Sequence, residues 1–170
     1  MGKKNEPDVK AIIREAVEAG RLAGMSTARD AYKATERRLY AYRALKQKII
    51  DDTERLEQLK MRGTPEHDKS IVRYSRSGYR MSPEEMLEAV IRDTEAAISS
   101  DQYEIDTLDK ALKHIEDDPW YGAITGKYIY GYDDEDLARD FDCGLTQLWK
   151  QRGRLVRALA VLLYGSQASV

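Results

Sequence analysis

The chain has one cysteine and two histidines in 170 residues. The lone thiol, Cys143, cannot close an internal disulfide, and without a second thiol or a histidine cluster it gives no zinc-ligand pattern. A reducing cytoplasm is therefore the expected compartment. Proline numbers 4 and glycine 11, while 34% of the residues are charged, a balance that suits long, surface-rich helices better than strands joined by tight turns. No segment approaches the roughly 18 apolar residues that span a bilayer. The amino-terminal MGKKNEPDVK is charged with no apolar run behind it, so neither a membrane span nor export is expected. An excess of one charge sign is missing too: 28 Lys plus Arg stand against 30 Asp plus Glu, a formal net charge of -2. Any attraction to nucleic acid must then be local. The length suits one domain, or two small helical units sharing a core.

Apolar spacing dominates what is present. Pro7 opens a stretch in which Val9, Ile12, Ile13, Ala16 and Val17 recur at helical intervals until Gly20 and Gly24 interrupt it. Ser26 or Thr27 offers an N-cap for a much longer helix, about residues 26–61, with a seam of Tyr42, Leu45, Ile49, Leu56 and Leu59 and one polar member, Asp52. Gly63 and Pro65 end it. The following stretch, about 62–81, has no periodicity and predicts a basic loop, with Arg73, Arg76 and Arg80 interleaved with Tyr74 and Tyr79. A solvated linker and a set of nonspecific phosphate contacts are both open for it. Ser82, Pro83 and Glu85 form a helix-start signal. From there Leu87, Ile91, Thr94, Ile98, Asp101, Ile105, Leu108, Leu112 and Ile115 alternate by four and three residues, a heptad seam predicting a second long helix over about 82–116. Two such helices most simply fold back as an antiparallel, coiled-coil-like hairpin, although the same seams could pair between subunits of a homodimer. The polar members Asp52, Thr94 and Asp101 either set register or lie at a wet edge.

After Glu116 the pattern changes. Pro119 starts a shorter helix with Trp120, Ile124, Tyr128 and Ile129, ended by Gly131. Asp133, Asp134, Glu135 and Asp136 then place acids at a helix start, where they complement the exposed amides. This helix turns Leu137, Ala138 and Phe141 inward. A short turn at Asp142, Cys143 and Gly144 leads to a last helix from about Leu145, which makes a helix-turn-helix over the region 117–170. At about 100° per residue, Leu148, Leu155, Leu159 and Leu162 share the face expected to pack. The opposite face carries Thr146, Lys150, Gly153 and Arg157, flanked by Gln147 and Arg154 on one side and Trp149 on the other. These side chains suit the major groove: glutamine pairs with adenine edges, arginine and lysine with guanine or phosphate, and the threonine methyl with thymine. Thr146, Gln147, Trp149, Lys150, Arg154 and Arg157 are thus the candidate DNA-binding residues. Gly153 either lets a partner backbone approach or is a tolerated helix glycine, costing about 1 kcal/mol relative to alanine. Arg152 falls near the apolar seam and is expected to pair with an acid of the preceding helix.

The segment KYIYGYDDEDLARDFDCGLTQLWKQRGRLVRALAVLLYG resembles the C-terminal helix-turn-helix of phage transcriptional regulators of the ArpU and RinA type, itself similar to region 4 of bacterial sigma factors. The likeness rests on the KYIYGY lead-in, the Asp136-Leu137-Ala138 centre of the first motif helix, Cys143 near the end of the turn, and WKQRGRL followed by LLYG. Upstream, AYKATERRLYAYRALKQKIIDD and SPEEMLEAVIRDTEAAI resemble the family's long-helix region, so the similarity covers roughly residues 30–165. Family members commonly begin the recognition helix with serine or threonine, whereas this chain has Gly144 and Leu145. The resemblance implies a phage or prophage regulator whose partner is double-stranded DNA, with RNA polymerase as a further candidate.

Other chemistry finds little purchase. His67 and His114 lie on different elements with no metal-ligand spacing, and the consecutive acids from Asp133 face different directions around a helix. Cys143 suits a small buried hydrophobe under the turn. There is no phosphate-cradling glycine loop, nucleophile triad or pair of catalytic carboxylates, so no enzymatic activity, cofactor or metal is expected. Beside DNA binding stand two other non-enzymatic roles. One is a sigma-like module docking on RNA polymerase through Trp149 and Val156, and the other is a phage packaging component that oligomerises through its coiled coil.

Overall fold

A computed structural model of the chain describes residues 12, 15–16, 19–20, 28–62, 82–165 and 168. Residues 28–62 and 82–165 hold five α-helices and one π-helical segment, Ile12, Glu15, Ala16, Ala19 and Gly20 are helical as well, and no strand occurs among the described residues. The expected helix over Val9 to Val17 lies mostly outside the described residues, as do the Ser26 and Thr27 caps and the basic loop with Arg73, Arg76 and Arg80.

Helix α1 spans Ala28–Arg62 and α2 spans Pro83–Lys113. The start of α2 follows from its first residues. Ser82 Oγ accepts the Glu85 N–H at 3.1 Å, the Glu85 carboxylate accepts the Ser82 N–H at 2.8 Å, and Pro83 occupies the first helical position, where no amide hydrogen is needed. Lys110 and Lys113 lie in the last turn, where positive charge complements the negative end of the helix dipole. The helix ends at Lys113, short of Glu116: the His114 and Ile115 N–H groups close tighter turns on the Ala111 and Leu112 carbonyls, each at 3.1 Å, and the Asp118 carboxylate then accepts the Trp120 N–H at 2.9 Å.

The expected seams are buried over part of their length: Ile105, Leu108 and Leu112 are buried in α2 and Ile115 just beyond it, whereas Leu87, Ile91 and Ile98 are half-buried and Ala89 and Val90 are the buried residues near its start. Leu39, Tyr42, Ile105, Leu108, Leu112 and Ile115 share one core cluster, with Leu45 and Ile49 packed against it. Ion pairs join Arg38 to Glu104, Lys48 to Asp101 and Lys60 to Glu95. The α2 partner moves backward as α1 moves forward, so the two helices run in opposite directions within one chain. Their polar seam residues are satisfied at its edge. Lys48 Nζ lies 2.8 Å from Asp52 and 2.5 Å from Asp101, and the Thr94 hydroxyl donates to the Val90 carbonyl at 2.8 Å. One lysine thus bridges two carboxylates that would otherwise repel each other, and its own pKa is raised by the hydrogen bonds to Asp101 and Asp52.

Beyond a series of turns come α3 (Tyr121–Ile124), a π-helical segment (Thr125–Tyr130), α4 (Asp134–Asp140) and α5 (Leu145–Tyr164). The expected helix from Pro119 to Gly131 is therefore shorter at its start, and its second half is wound with i→i+5 closure. The wider turn lets Tyr128 and Ile129, adjacent in sequence, both reach the central cluster. The Tyr128 hydroxyl donates to Glu36 of α1 at 2.8 Å. Gly131 ends the segment at φ 77°, a conformation that costs glycine little, and the Tyr132 N–H turns back to the Gly126 carbonyl at 2.9 Å.

Helix α5 crosses both the core and the first turns of α1. Leu155, Val156 and Leu159 enter the central cluster, each contributing about 1.5–3 kcal/mol of apolar burial for a large side chain. Ala160 and Tyr164 pack on Ala31 together with Ala168, the small residues allowing a close crossing. The Arg157 guanidinium stands 5.8 Å from the Tyr32 ring centroid, and that of Arg38 stands 5.5 Å from that of Tyr164.

Candidate nucleic-acid interface

Helices α4 and α5 are joined by residues 141–144. The chain reverses at Asp142, which takes a left-handed φ of 45°, a conformation that aspartate tolerates better than most residues. The Cys143 N–H closes the turn on the Ala138 carbonyl at 2.9 Å. Extended backbone at Gly144 then begins α5 without any side-chain cap, as expected where serine or threonine is absent. Beneath the turn, Ala123, Leu137, Ala138 and Leu148 form a small core, with Phe141, Cys143 and Leu145 packed against it. Cys143 thus acts as packing matter. Trp120 stacks on Phe141 at a centroid distance of 5.0 Å, sealing the side toward α3.

The two helices are locked by one carboxylate. Asp134 accepts from both terminal nitrogens of Arg152 at 2.9 and 3.1 Å, from the Trp149 indole N–H at 2.7 Å and from Lys127 at 3.0 Å. Arg152 is the expected structural arginine, its side chain only 13% exposed. The Arg152 hydrogen bonds, with those of Lys127 and Trp149, hold the Asp134 carboxyl well below the usual carboxylate range, against the opposing effect of burial. The π-helical segment, α4 and α5 are therefore tied through a single group at the start of α4. Local sequence does not distinguish Asp134 from the acids beside it, since its partners lie on other elements.

The six candidate contact residues divide into groups. Thr146, Gln147 and Lys150 are exposed on the first turns of α5, and Lys150 has no ion-pair partner among the described residues. Trp149 is 50% exposed, but its ring is oriented by the bond to Asp134. Arg154 is committed elsewhere. One of its terminal nitrogens lies 3.0 and 2.8 Å from the two Asp118 oxygens, and its Nε donates to Gln151 at 2.9 Å. The Trp120 N–H and then Arg154 keep the Asp118 carboxyl below its ordinary pKa. Arg157 is exposed but turned toward the ring of Tyr32.

Three expectations for α5 need correction. Gly153 is buried, not outward; a Cβ there would sit 3.8 Å from the Tyr32 hydroxyl. Val156 is fully buried and cannot dock a partner, whereas Leu162, expected to pack, is 47% exposed. The three share one cause: α5 packs on more than one side, resting on α4 through Leu148, meeting α1 at Gly153 and Ala160 and entering the central cluster with Val156, which leaves Leu162 outside.

Elsewhere, His114 is exposed at the end of α2, and His67 lies outside the described residues. Among the described residues no three His, Cys, Asp or Glu side chains gather as a metal site, and no helix is long and apolar enough to cross a membrane. Comparisons with protein-family models, curated proteins and solved structures give no match.

Proposed function

We propose that the protein is a DNA-binding transcriptional regulator of phage or prophage type. In this reading α4 and α5 are a helix-turn-helix similar to region 4 of sigma factors, and α1 and α2 are an antiparallel hairpin that carries it. The observation that supports it best is the contrast along α5: its first turns are held through Asp134, while Thr146, Gln147 and Lys150 project from them uncommitted. Residues at the start of a recognition helix are those that reach base edges in the major groove. Lys150 supplies a phosphate or guanine contact, Gln147 an amide that matches adenine, and Thr146 a methyl and a hydroxyl. Arg154 is a secondary contact, because reaching DNA would require it to leave Asp118.

The competing roles have less support. Docking on RNA polymerase would use Trp149 with Val156, and Val156 is buried. A packaging component needs free seams for oligomerisation, and these seams face each other inside one chain. Selection of bound genomic fragments followed by footprinting tests the proposal. A protected site is expected, with affinity falling steeply as salt rises and Lys150→Ala lowering the salt slope by about 1. The absence of any enriched fragment, together with salt-independent binding, would refute it.

A further inference from the structure

A second feature lies away from the exposed turns of α5. Between the middle of α1, the end of α2 and the π-helical segment lies an open cavity of about 840 Å³, within the size range of small-molecule sites. Its lining includes four tyrosines, Tyr42, Tyr121, Tyr130 and Tyr132. Tyr130 and Tyr132 stack on each other at a centroid distance of 5.8 Å yet remain 60% and 53% exposed. The backbone arranges this pair: the π-helical turn carries Tyr130, and the left-handed Gly131 reverses the chain so that Tyr132 returns beside it. Neither ring belongs to a core cluster, and of the two Tyr132 lies against the buried Gly126.

Cations stand on the other walls. Arg43 and Lys46 project from α1 and Lys113 from the last turn of α2. Of the two acids in the lining, Asp109 already accepts the Tyr42 hydroxyl at 2.5 Å, and the Lys46 ammonium lies 4.6 Å from the centroid of the Tyr42 ring. Glu116 is the other acid, facing a wall on which Arg43 and Lys113 have no ion-pair partner among the described residues. The cavity therefore joins flat, half-exposed aromatic faces to a small surplus of positive charge.

We propose that this cavity binds a nucleotide. The base stacks on Tyr132 and Tyr130, whose π-faces accept any base, and the phosphate is held by Arg43 and Lys113. The phenol of Tyr121 stays protonated, its pKa raised first by burial, and can donate to a base edge or a ribose hydroxyl. The same chemistry arrives either as a free mononucleotide or as one unit of a single strand. The site does not depend on the DNA-binding role proposed for α5.

Calorimetric titration of the full chain tests it, with the four ribonucleoside 5′-monophosphates, the parent nucleosides, inorganic phosphate and a short single-stranded oligonucleotide as probes. At least one monophosphate, or the oligonucleotide alone, should saturate the protein, and the parent nucleoside or phosphate should bind roughly tenfold more weakly or worse. Tyr130→Ala, and more so Tyr130→Ala with Tyr132→Ala, should weaken binding, the double variant by about tenfold or more, while the cooperative thermal transition of the folded chain is retained. Arg43→Ala should weaken the nucleotide and leave the nucleoside unaffected. No saturation by any nucleotide at millimolar concentration would overturn the proposal. So would binding indifferent to both rings, or phosphate alone binding as tightly as the nucleotides.

Discussion

Replacing Asp134 with alanine should destabilise the protein more than replacing any of the neighbouring acids. The substitution removes one carboxylate and strips partners from Arg152, Trp149 and Lys127 together. Arg152 then stays largely buried, with its charge unpaired. Leaving one member of a fully buried pair alone costs about 3–5 kcal/mol, and the partial exposure of Asp134 lowers this to about 2–4 kcal/mol. For a chain of this size that corresponds to a fall in Tm of about 4–12 °C. Asp134→Asn, which keeps an acceptor for the Trp149 indole but no charge, should lose less than the alanine variant. Asp136→Asn, which breaks only the exposed pair with Arg139, should change stability by about 0.5 kcal/mol or less.

The pH dependence follows from the depressed Asp134 pKa. In the unfolded chain the group titrates near the ordinary aspartate value of about 3.9. Its folded value lies lower, so its contribution is complete above the unfolded pKa and is lost as pH falls through the range between the two. Urea unfolding of the parent and Asp134→Ala should show a constant gap from neutral pH down to about 5, narrowing below about 4. A loss under about 0.5 kcal/mol at neutral pH, or a gap that does not shrink in acid, would refute the clamp.

Other outcomes follow from single contacts. Gly153→Ala should stabilise the protein by about 0.5–1 kcal/mol, because the added methyl meets Tyr32 at ordinary contact distance and relieves a helix glycine; DNA affinity should not change. Gly126→Ala should instead destabilise by about 1–3 kcal/mol in thermal melts, since its Cβ would lie 2.5 Å from Cδ2 of the buried Leu137. Arg154→Ala should cost about 0.2–1 kcal/mol of stability through its half-exposed pair with Asp118, and should weaken DNA much less than Lys150→Ala does in anisotropy titrations. Gln147→Ala should leave melting unchanged and relax base preference at one position of the footprinted site, worth about 1–3 kcal/mol of discrimination.

Much of the candidate interface was legible in the residues themselves. The α5 start near Leu145, the exposure of Thr146, Gln147 and Lys150, and the pairing of Arg152 with an acid of the preceding helix all agree with the pattern of charge and apolar spacing. The commitment of Arg154 was not legible, because Asp118 lies far from it in sequence, in the turn after α2, and meets it only when α5 folds back. The burial of Gly153 depends in the same way on Tyr32, near the start of α1.

The sequence by itself determined the helical class, the seams of α1 and α2, the capped start at Ser82 and the break before Asp133. These depend on interactions among residues a few positions apart, and each leaves a local pattern. Only the tertiary structure decided which side chains of α1 and α2 meet, that α5 is held from two sides, and that one acid among several neighbours clamps α4, α5 and the π-helical segment. Those outcomes depend on which distant surfaces meet. Side chains of the same chemistry, such as Asp133 and Asp134 or Lys150 and Arg154, acquire different roles only from the neighbours that packing brings to them.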